Sequence, residues 1–244
     1  MLKKILLITI AVLLFGYIIF SVTYINPKIN ADIECKDMKV KIARNSEISY
    51  LNEKQIHSYL KENKIDPVGK KMSDINTDSI TNILNKNRLI KNAKVYKTIG
   101  GTLKIDVFQK TPILRIMSEK GNYYIDNEAE IMPVPLGFAA YVPVATGNIS
   151  EEYAKKQLFN FAQFLQKDKF WDSQIEQIHI NPNLDVELIP RVGNHFIILG
   201  KIEDYKENLA KLKLFYDKGL NKVGWNKYSV INLKFKDQIV CTKR

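Results

Sequence analysis

The sequence predicts an α+β protein in three parts. An apolar amino-terminal helix comes first, then a small unit of three strands and two helices, then a larger, mainly antiparallel sheet domain with two helices. Three observations carry this. No charged residue lies between Lys4 and Lys28. Amphipathic stripes and two-residue alternation then succeed one another as strand, helix, helix, strand, strand over roughly 80 residues. Beyond Thr111-Pro112 short strands separated by turn residues dominate.

Residues 5–25 are almost entirely apolar. A run of about 21 residues makes a helix of roughly 31 Å, which matches the hydrocarbon core of a bilayer. Lys3, Lys4 and the amino terminus flank one side; Lys28, Asp32 and Glu34 follow on the other. The positive-inside bias therefore predicts residues 1–4 as a cytoplasmic tail, 5–25 as a single transmembrane helix, and everything after Asn26 as exported. A cleavable signal peptide is the competing reading. Its apolar core would run about 7–15 residues and end at a small-x-small site. Here Ser21-Val22-Thr23 leads into the bulky Tyr24, so the sequence favours an uncleaved anchor. The acids in Asp32-Ile33-Glu34-Cys35 do not suit a lipoprotein signal, and Cys35 is expected to carry no lipid.

The exported remainder suits one large or two small domains, and a hydrophobic content of 45% is ample for a core. The formal net charge is +11, yet lysines such as Lys104, Lys110 and Lys120 stand singly and no arginine-rich helix occurs. That pattern fits a solvated basic surface beside anionic headgroups and argues against nucleic-acid binding. Cys35 and Cys241 lie near opposite ends of the exported part and read as unpaired thiols.

In the small unit, Met38, Val40 and Ile42 alternate with lysines as an edge strand. Asn52 can cap a first helix while Gln55 reaches back and Leu51 staples against Ile56; Ile56, Tyr59 and Leu60 form its stripe. Asn76 can cap a second, with Ile75 against Ile80 and a face of Ile80, Ile83 and Leu84. Ala93, Val95 and Ile99 then alternate with Lys94, Tyr96 and Thr98. Gly100-Gly101 is expected to supply two positive-φ residues for a tight turn, followed by Leu103, Ile105 and Val107. In the larger domain, strands are expected at 113–117, 123–125, 130–132 and 141–145. A helix capped by Ser150 buries Ala154, Leu158, Phe161, Ala162 and Leu165. Further strands cover Ile178/Ile180, then Leu184, Val186 and Leu188, then 195–199. A last helix with Tyr205, Leu209, Leu212 and Tyr216 on one face stops at Gly219. Two strands close the chain, 228–235 and 238–242, joined around Lys236-Asp237.

A search for chemistry finds no constellation. His57, His179 and His195 are isolated from any metal-ligand spacing, and no nucleophile elbow or zinc-protease helix occurs. Gly69-Lys70-Lys71-Met72-Ser73 lacks the upstream glycine of a phosphate loop and lies between helices rather than after a strand. Asn148-Ile149-Ser150 fits a glycosylation sequon, but Ser150 is explained by its capping position. The sequence therefore predicts no enzyme, no cofactor, no metal and no small-molecule substrate.

The order of parts resembles the bacterial FtsQ/DivIB family: a short cytoplasmic tail, one membrane helix, a membrane-proximal POTRA domain and a β domain. Lys94-Val95-Tyr96 and Leu103-Lys104-Ile105-Asp106-Val107 look like the second and third POTRA strands. Gln109-Lys110-Thr111-Pro112-Ile113 resembles the junction that opens the β domain, and Tyr123-Tyr124-Ile125-Asp126-Asn127-Glu128-Ala129 the family's Tyr-Leu/Ile-Asp-x-x-Gly hairpin. Val230-Ile231-Asn232-Leu233-Lys234-Phe235 is similar to its Val-Asp-Leu-Arg-Tyr strand, with Asn232, Lys234 and Phe235 in place of Asp, Arg and Tyr, and Gln238 where Gly is common. The resemblance sets boundaries at 32–110 for a POTRA-like domain and 111–244 for a β domain.

The resemblance implies a non-enzymatic scaffold in the plasma (inner) membrane at the division septum. It binds FtsB-like and FtsL-like divisome proteins, with the FtsB-like partner adding along the final strand. Lys234, Phe235, Asp237, Gln238, Ile239 and Val240 match the family's contact stretch. Independently, a last strand at a sheet edge offers unpaired N–H and C=O groups to an incoming strand. The alternative is a POTRA-containing component of an envelope transport or secretion complex, although such proteins usually repeat the domain or continue into a barrel.

Overall fold

The computed structural model describes residues 2–24, 33–43 and 49–244. Helix α1 runs Leu2–Tyr24, and its described side chains, among them Leu7, Leu13, Phe15 and Phe20, are exposed. Among the described residues no helix is long and apolar enough to cross a membrane, side chains of α1 being described only over 7–21. Residues 25–32, which hold the end of the expected span, its Lys28/Asp32 flank and the expected start of the small domain, lie outside the described residues, as does Met1. Among the described residues beyond α1, residues 33–43 and 51–109 form one compact unit, and residues 49–50 and 110–244 a second.

In the first unit, β1 (Asp37–Ala43) pairs in parallel with β3 (Thr102–Gln109), and β3 pairs antiparallel with β2 (Ile90–Lys97), giving the order β1-β3-β2. Helices α2 (Glu53–Glu62) and α3 (Thr77–Lys86) cover one face. The caps form as the sequence predicts. The Asn52 carboxamide oxygen accepts from the Gln55 N–H at 3.0 Å while the Gln55 side chain accepts from the Asn52 N–H at 2.9 Å, and Asn76 accepts from the Ser79 N–H at 2.9 Å. Ile56, Leu60, Ile80 and Leu84 are buried with Met38, Leu103, Ile105 and Val107. At about 1.5–3 kcal/mol for each such side chain, this apolar layer decides the fold of a small unit.

The hairpin turn differs from expectation. Gly101 alone has positive φ, at +80°. The Gly101 N–H reaches the Thr98 carbonyl at 3.3 Å and the Thr98 N–H the Thr102 carbonyl at 3.0 Å, so Ile99, Gly100 and Gly101 form a three-residue loop with its bulge at Gly101. Ile99 consequently leaves the strand alternation and is 75% exposed.

The second unit is one nine-stranded sheet in the order β12-β11-β10-β9-β8-β7-β4-β5-β6. Its strands are β4 (Pro112–Ser118), β5 (Gly121–Asp126), β6 (Ile131–Pro133), β7 (Val144–Gly147), β8 (Ile175–Ile180), β9 (Val186–Pro190), β10 (Phe196–Gly200), β11 (Tyr228–Asn232) and β12 (Val240–Lys243). The sheet is mixed rather than antiparallel: β4/β7, β7/β8 and β10/β11 are parallel. Two of these follow from helical crossovers, which return the chain to the end of the sheet from which it left. Between β7 and β8 lie α4 (Glu151–Tyr153), a wide turn over Ala154–Leu158, α5 (Phe159–Lys167) and a short helix α6 (Lys169–Gln174) absent from the sequence reading. Asp168 caps α6 by accepting from the Phe170 N–H at 2.9 Å, and Ser150 caps α4. Between β10 and β11 lie α7 (Tyr205–Phe215), a wide turn over Tyr216–Leu220 and α8 (Asn221–Val223). The helix continues through Gly219 and ends at Gly224, whose φ of +96° ordinary side chains avoid. Leu184, expected in a strand, sits at φ +61° in the turn before β9.

Asp126 explains the Ile125-Asp126-Asn127-Glu128-Ala129 segment. Its Oδ1 accepts the N–H groups of Glu128 at 2.9 Å and Glu130 at 2.8 Å, and its Oδ2 meets Lys110 Nζ at 2.9 Å. The carboxylate is buried, and these contacts offset the cost of desolvating it. They shape the β5–β6 turn, in which Ala129 adopts φ +62°.

Candidate partner-docking edge

Strand β12 lies at one end of the sheet and pairs antiparallel with β11: Asn232 opposite Val240, Ile231 opposite Cys241, Val230 opposite Thr242. Among the described residues no strand lies on its other side. The register tells which main-chain groups face outward. The Arg244 N–H donates to the Lys227 carbonyl, and the Ser229 hydroxyl donates to the Thr242 carbonyl, both towards the β11 side. By the two-residue period, Val240 and Thr242 spend their main-chain groups on β11, whereas those of Cys241 and Lys243 point to the open edge. Side chains alternate on the perpendicular axis. Ile239 and Cys241 pack against the core while Val240 is exposed. Burial pushes the Cys241 thiol pKa up, so it stays protonated, and both cysteines are free.

The stretch leading into β12 is held from beneath. Lys234 lays its stem over Gly200, where an added Cβ would meet its Cγ at 2.9 Å, and its Nζ meets Asp185 Oδ2 at 2.8 Å. Lys201 takes the other oxygen at 3.0 Å, and the hydrogen bond from Lys234, followed by that from Lys201, lowers the Asp185 pKa. The Lys234 charge is thus already engaged within its own unit. Lys211 of α7 donates to the carbonyls of Leu233 at 3.4 Å and Phe235 at 3.2 Å. Phe235 is exposed, Gln238 is exposed, and Asp237 makes the turn at φ +58°, a conformation Asp tolerates better than most residues.

Beside this loop, a groove of about 550 Å³ is lined by Lys211, Leu214, Phe215, Lys218, Asp237 and Ile239. Sequence reasoning missed its helical wall. The available signal was Leu214, an apolar residue out of phase with the Tyr205–Leu209–Leu212 stripe and 54% exposed. The structure therefore brings Asp237, Gln238 and Ile239 together with Leu214 and Phe215. Val240 lies on the exposed face of the strand, and Lys234 points away into its ion pair.

The histidines gather no chemistry. His57 lies 3.7 Å from Glu53 on an exposed helix face, and His179 Nδ1 lies 3.0 Å from the Thr146 hydroxyl. His195, which the sequence left unassigned, is buried with Nε2 at 2.9 Å from the Tyr216 hydroxyl. Burial, assisted by the Arg244 charge, lowers its pKa, so it sits neutral among Tyr216 and Trp225. Among the described residues no group of three His, Cys, Asp or Glu side chains could hold a metal.

A small unit of three strands and two helices, followed by a mixed nine-stranded sheet whose last strand is an edge beside a groove, defines the class: an α+β chain of two compact units. Residues 33–108 match the POTRA-like domain family. Residues 111–242 match the family described as FtsQ/DivIB, C-terminal related; that match spans more than half of the sequence, and the chain belongs to the FtsQ/DivIB family. Membership ties it to bacterial cell division. No curated protein matches it in sequence. Among solved structures it is similar to the major extracytoplasmic domain of the trans isomer of the cell division protein DivIB from Geobacillus stearothermophilus. The identity is 12% and the TM-score 0.33, over 42% of this chain and 87% of that one. At that distance the likeness carries no weight of its own.

Proposed function

We propose that the chain is a non-enzymatic scaffold of the bacterial divisome. It is held by residues 5–25 in the plasma (inner) membrane with its amino terminus in the cytoplasm, and it receives FtsB-like and FtsL-like partners on the exported second unit at the septum. The observation that carries this reading is β12 itself: an edge strand with the main-chain groups of Cys241 and Lys243 facing outward, flanked by exposed Phe235 and Val240. β-Augmentation uses such an edge for affinity and the neighbouring side chains for register. The apolar run of α1 supports the anchor.

A pull-down of the full chain with the FtsB-like protein of the same cell tests the docking. Retention that is lost on altering the edge supports it. Retention indifferent to Phe235→Ala and to disruption of the open edge places the docking surface elsewhere. A fluorescent fusion tests the location: a midcell band supports the divisome, and a uniform rim supports an envelope transport component.

A further inference from the structure

The face of the first unit opposite its helices carries a lysine field that no part of the docking edge uses. Successive strand residues point to opposite sides of a sheet, and here one side is the core. On the other, Lys39, Lys41, Lys94 and Lys104 are exposed. The register stacks them in two rows across the sheet: Lys39, Lys104 and Tyr96, then Lys41, Asp106 and Lys94. The acids on this face are Asp37 and Asp106, and Asp106 is engaged by the Tyr96 hydroxyl at 3.1 Å. Lys94 lies over the Phe108 ring at 5.8 Å. None of the four lysines closes an ion pair among the described residues. Four cations of one sign on a single sheet face, with two aromatic rings beside them, is more than a solvated surface needs. Like charges in neighbouring rows repel, and the sheet bears that cost.

We propose that this sheet face docks on the anionic phospholipid headgroups of the membrane that holds α1. The proposal rests on the anchor reading above. Charge complementarity selects the occupant, and the tether makes it available. The link from Tyr24 to Asp37 reaches on the order of 45 Å at most, so the face never leaves the neighbourhood of the bilayer. Attraction to headgroups acts only within about a Debye length, near 8 Å, so the lysines must lie against the surface. Each lysine so placed favours contact about fivefold. Four lysines set against two acids shift the balance roughly 25-fold towards the docked state. Tyr96 and Phe108 are suited to the interfacial layer, where ring bodies and polar tips are both accommodated.

The test is residue-resolved lysine acylation of the full chain in nanodiscs, one set zwitterionic and one about one-third anionic lipid, read by mass spectrometry. Lys218 and Lys222 of the second unit serve as internal references. The expected result is at least threefold slower labelling of Lys39, Lys41, Lys94 and Lys104 on anionic discs only. The protection should vanish in 0.5 M salt, and Lys39→Glu with Lys41→Glu should abolish it at Lys94 and Lys104. Equal labelling on both discs, with the chain retained on them, overturns the docking and leaves the anchor standing. A chain that elutes free of both discs overturns the anchor and the docking together. Protection by added soluble polyphosphate but not by anionic discs assigns the face to a soluble polyanion and overturns the membrane as its occupant.

Discussion

A pair of proline substitutions separates the two sides of β12. Proline removes one N–H and fixes φ near −65°, so its effect depends on what that N–H was serving. Val240 stands opposite Asn232 with its main-chain groups spent on β11. Val240→Pro therefore breaks an internal ladder bond and should cost about 1–3 kcal/mol, lowering the melting temperature by roughly 2–12 °C for a chain of this size. Cys241 is one residue further on, and its N–H faces the open edge, where proline is tolerated within sheets. Cys241→Pro should melt within a few degrees of Cys241→Ala, which controls for the lost thiol. Against the FtsB-like partner, Cys241→Pro should lose one main-chain hydrogen bond, net about 0.5–1.5 kcal/mol, or roughly two- to twelvefold in Kd by titration calorimetry, and more where the ring meets the incoming strand. Binding by Cys241→Pro equal to that of Cys241→Ala, with both folded, refutes the edge as the docking surface. A greater loss of stability in Cys241→Pro than in Val240→Pro refutes the register assignment instead.

Other substitutions probe the fold and the site. Ala129 holds φ +62°, a conformation costing an ordinary residue about 1–2 kcal/mol, so Ala129→Gly should raise the denaturation midpoint by the equivalent of about 1 kcal/mol; an unchanged or lower midpoint contradicts this. Phe235→Ala should weaken the partner at little cost in melting temperature, because the ring is exposed. Lys234→Glu should weaken the fold as well, because it sets a second carboxylate against Asp185; a variant as stable as the parent shows the ion pair to be dispensable. The folded pKa of His195 lies below its ordinary value because burial disfavours the cation. The unfolded chain therefore takes up the proton first, so this contribution is full above about pH 6.5 and falls away as the pH drops towards the folded pKa. Urea midpoints at pH 7.5 and 5.5 should diverge for the parent and converge for His195→Gln.

The first unit was legible because local signals and the burial pattern agree. Asn52 and Asn76 cap where their spacing says, and Leu103, Ile105 and Val107 alternate inward. The turn at Gly100-Gly101 was read with one positive φ too many, because a two-residue and a three-residue loop share the same glycines. In the second unit most strands were readable, although the one expected at 141–145 runs Val144–Gly147 and the one expected at 228–235 stops at Asn232; their pairing was not. Parallel neighbours such as Arg115/Val144 and Phe196/Val230 are joined through long connections, and alternation carries no record of the partner's direction. Gly219 looked like a helix stop because the signal cannot separate a terminating glycine from one lying against the Phe215 ring inside a wide turn. At the docking stretch, Phe235 and Val240 were named only through the family resemblance and their exposure is a finding of the structure, whereas the Lys234–Asp185 pair spans 49 positions and leaves no local trace.

The two ends of the nine-stranded sheet are not alike. β6 is three residues long and finishes on Pro133, with Pro135 just beyond, so one end is stoppered by residues that cannot donate. Among the described residues the β12 end carries no such proline. On the docking proposed above, a sheet capped at one end and open at the other would grow in a single direction, which would set stoichiometry as well as site: one incoming strand for each chain. That strand becomes the new terminus, so it must carry its own stopper, by brevity, charge or proline, or the assembly would keep lengthening. The sequence of a true partner should therefore show an interrupted strand rather than a long uniform one.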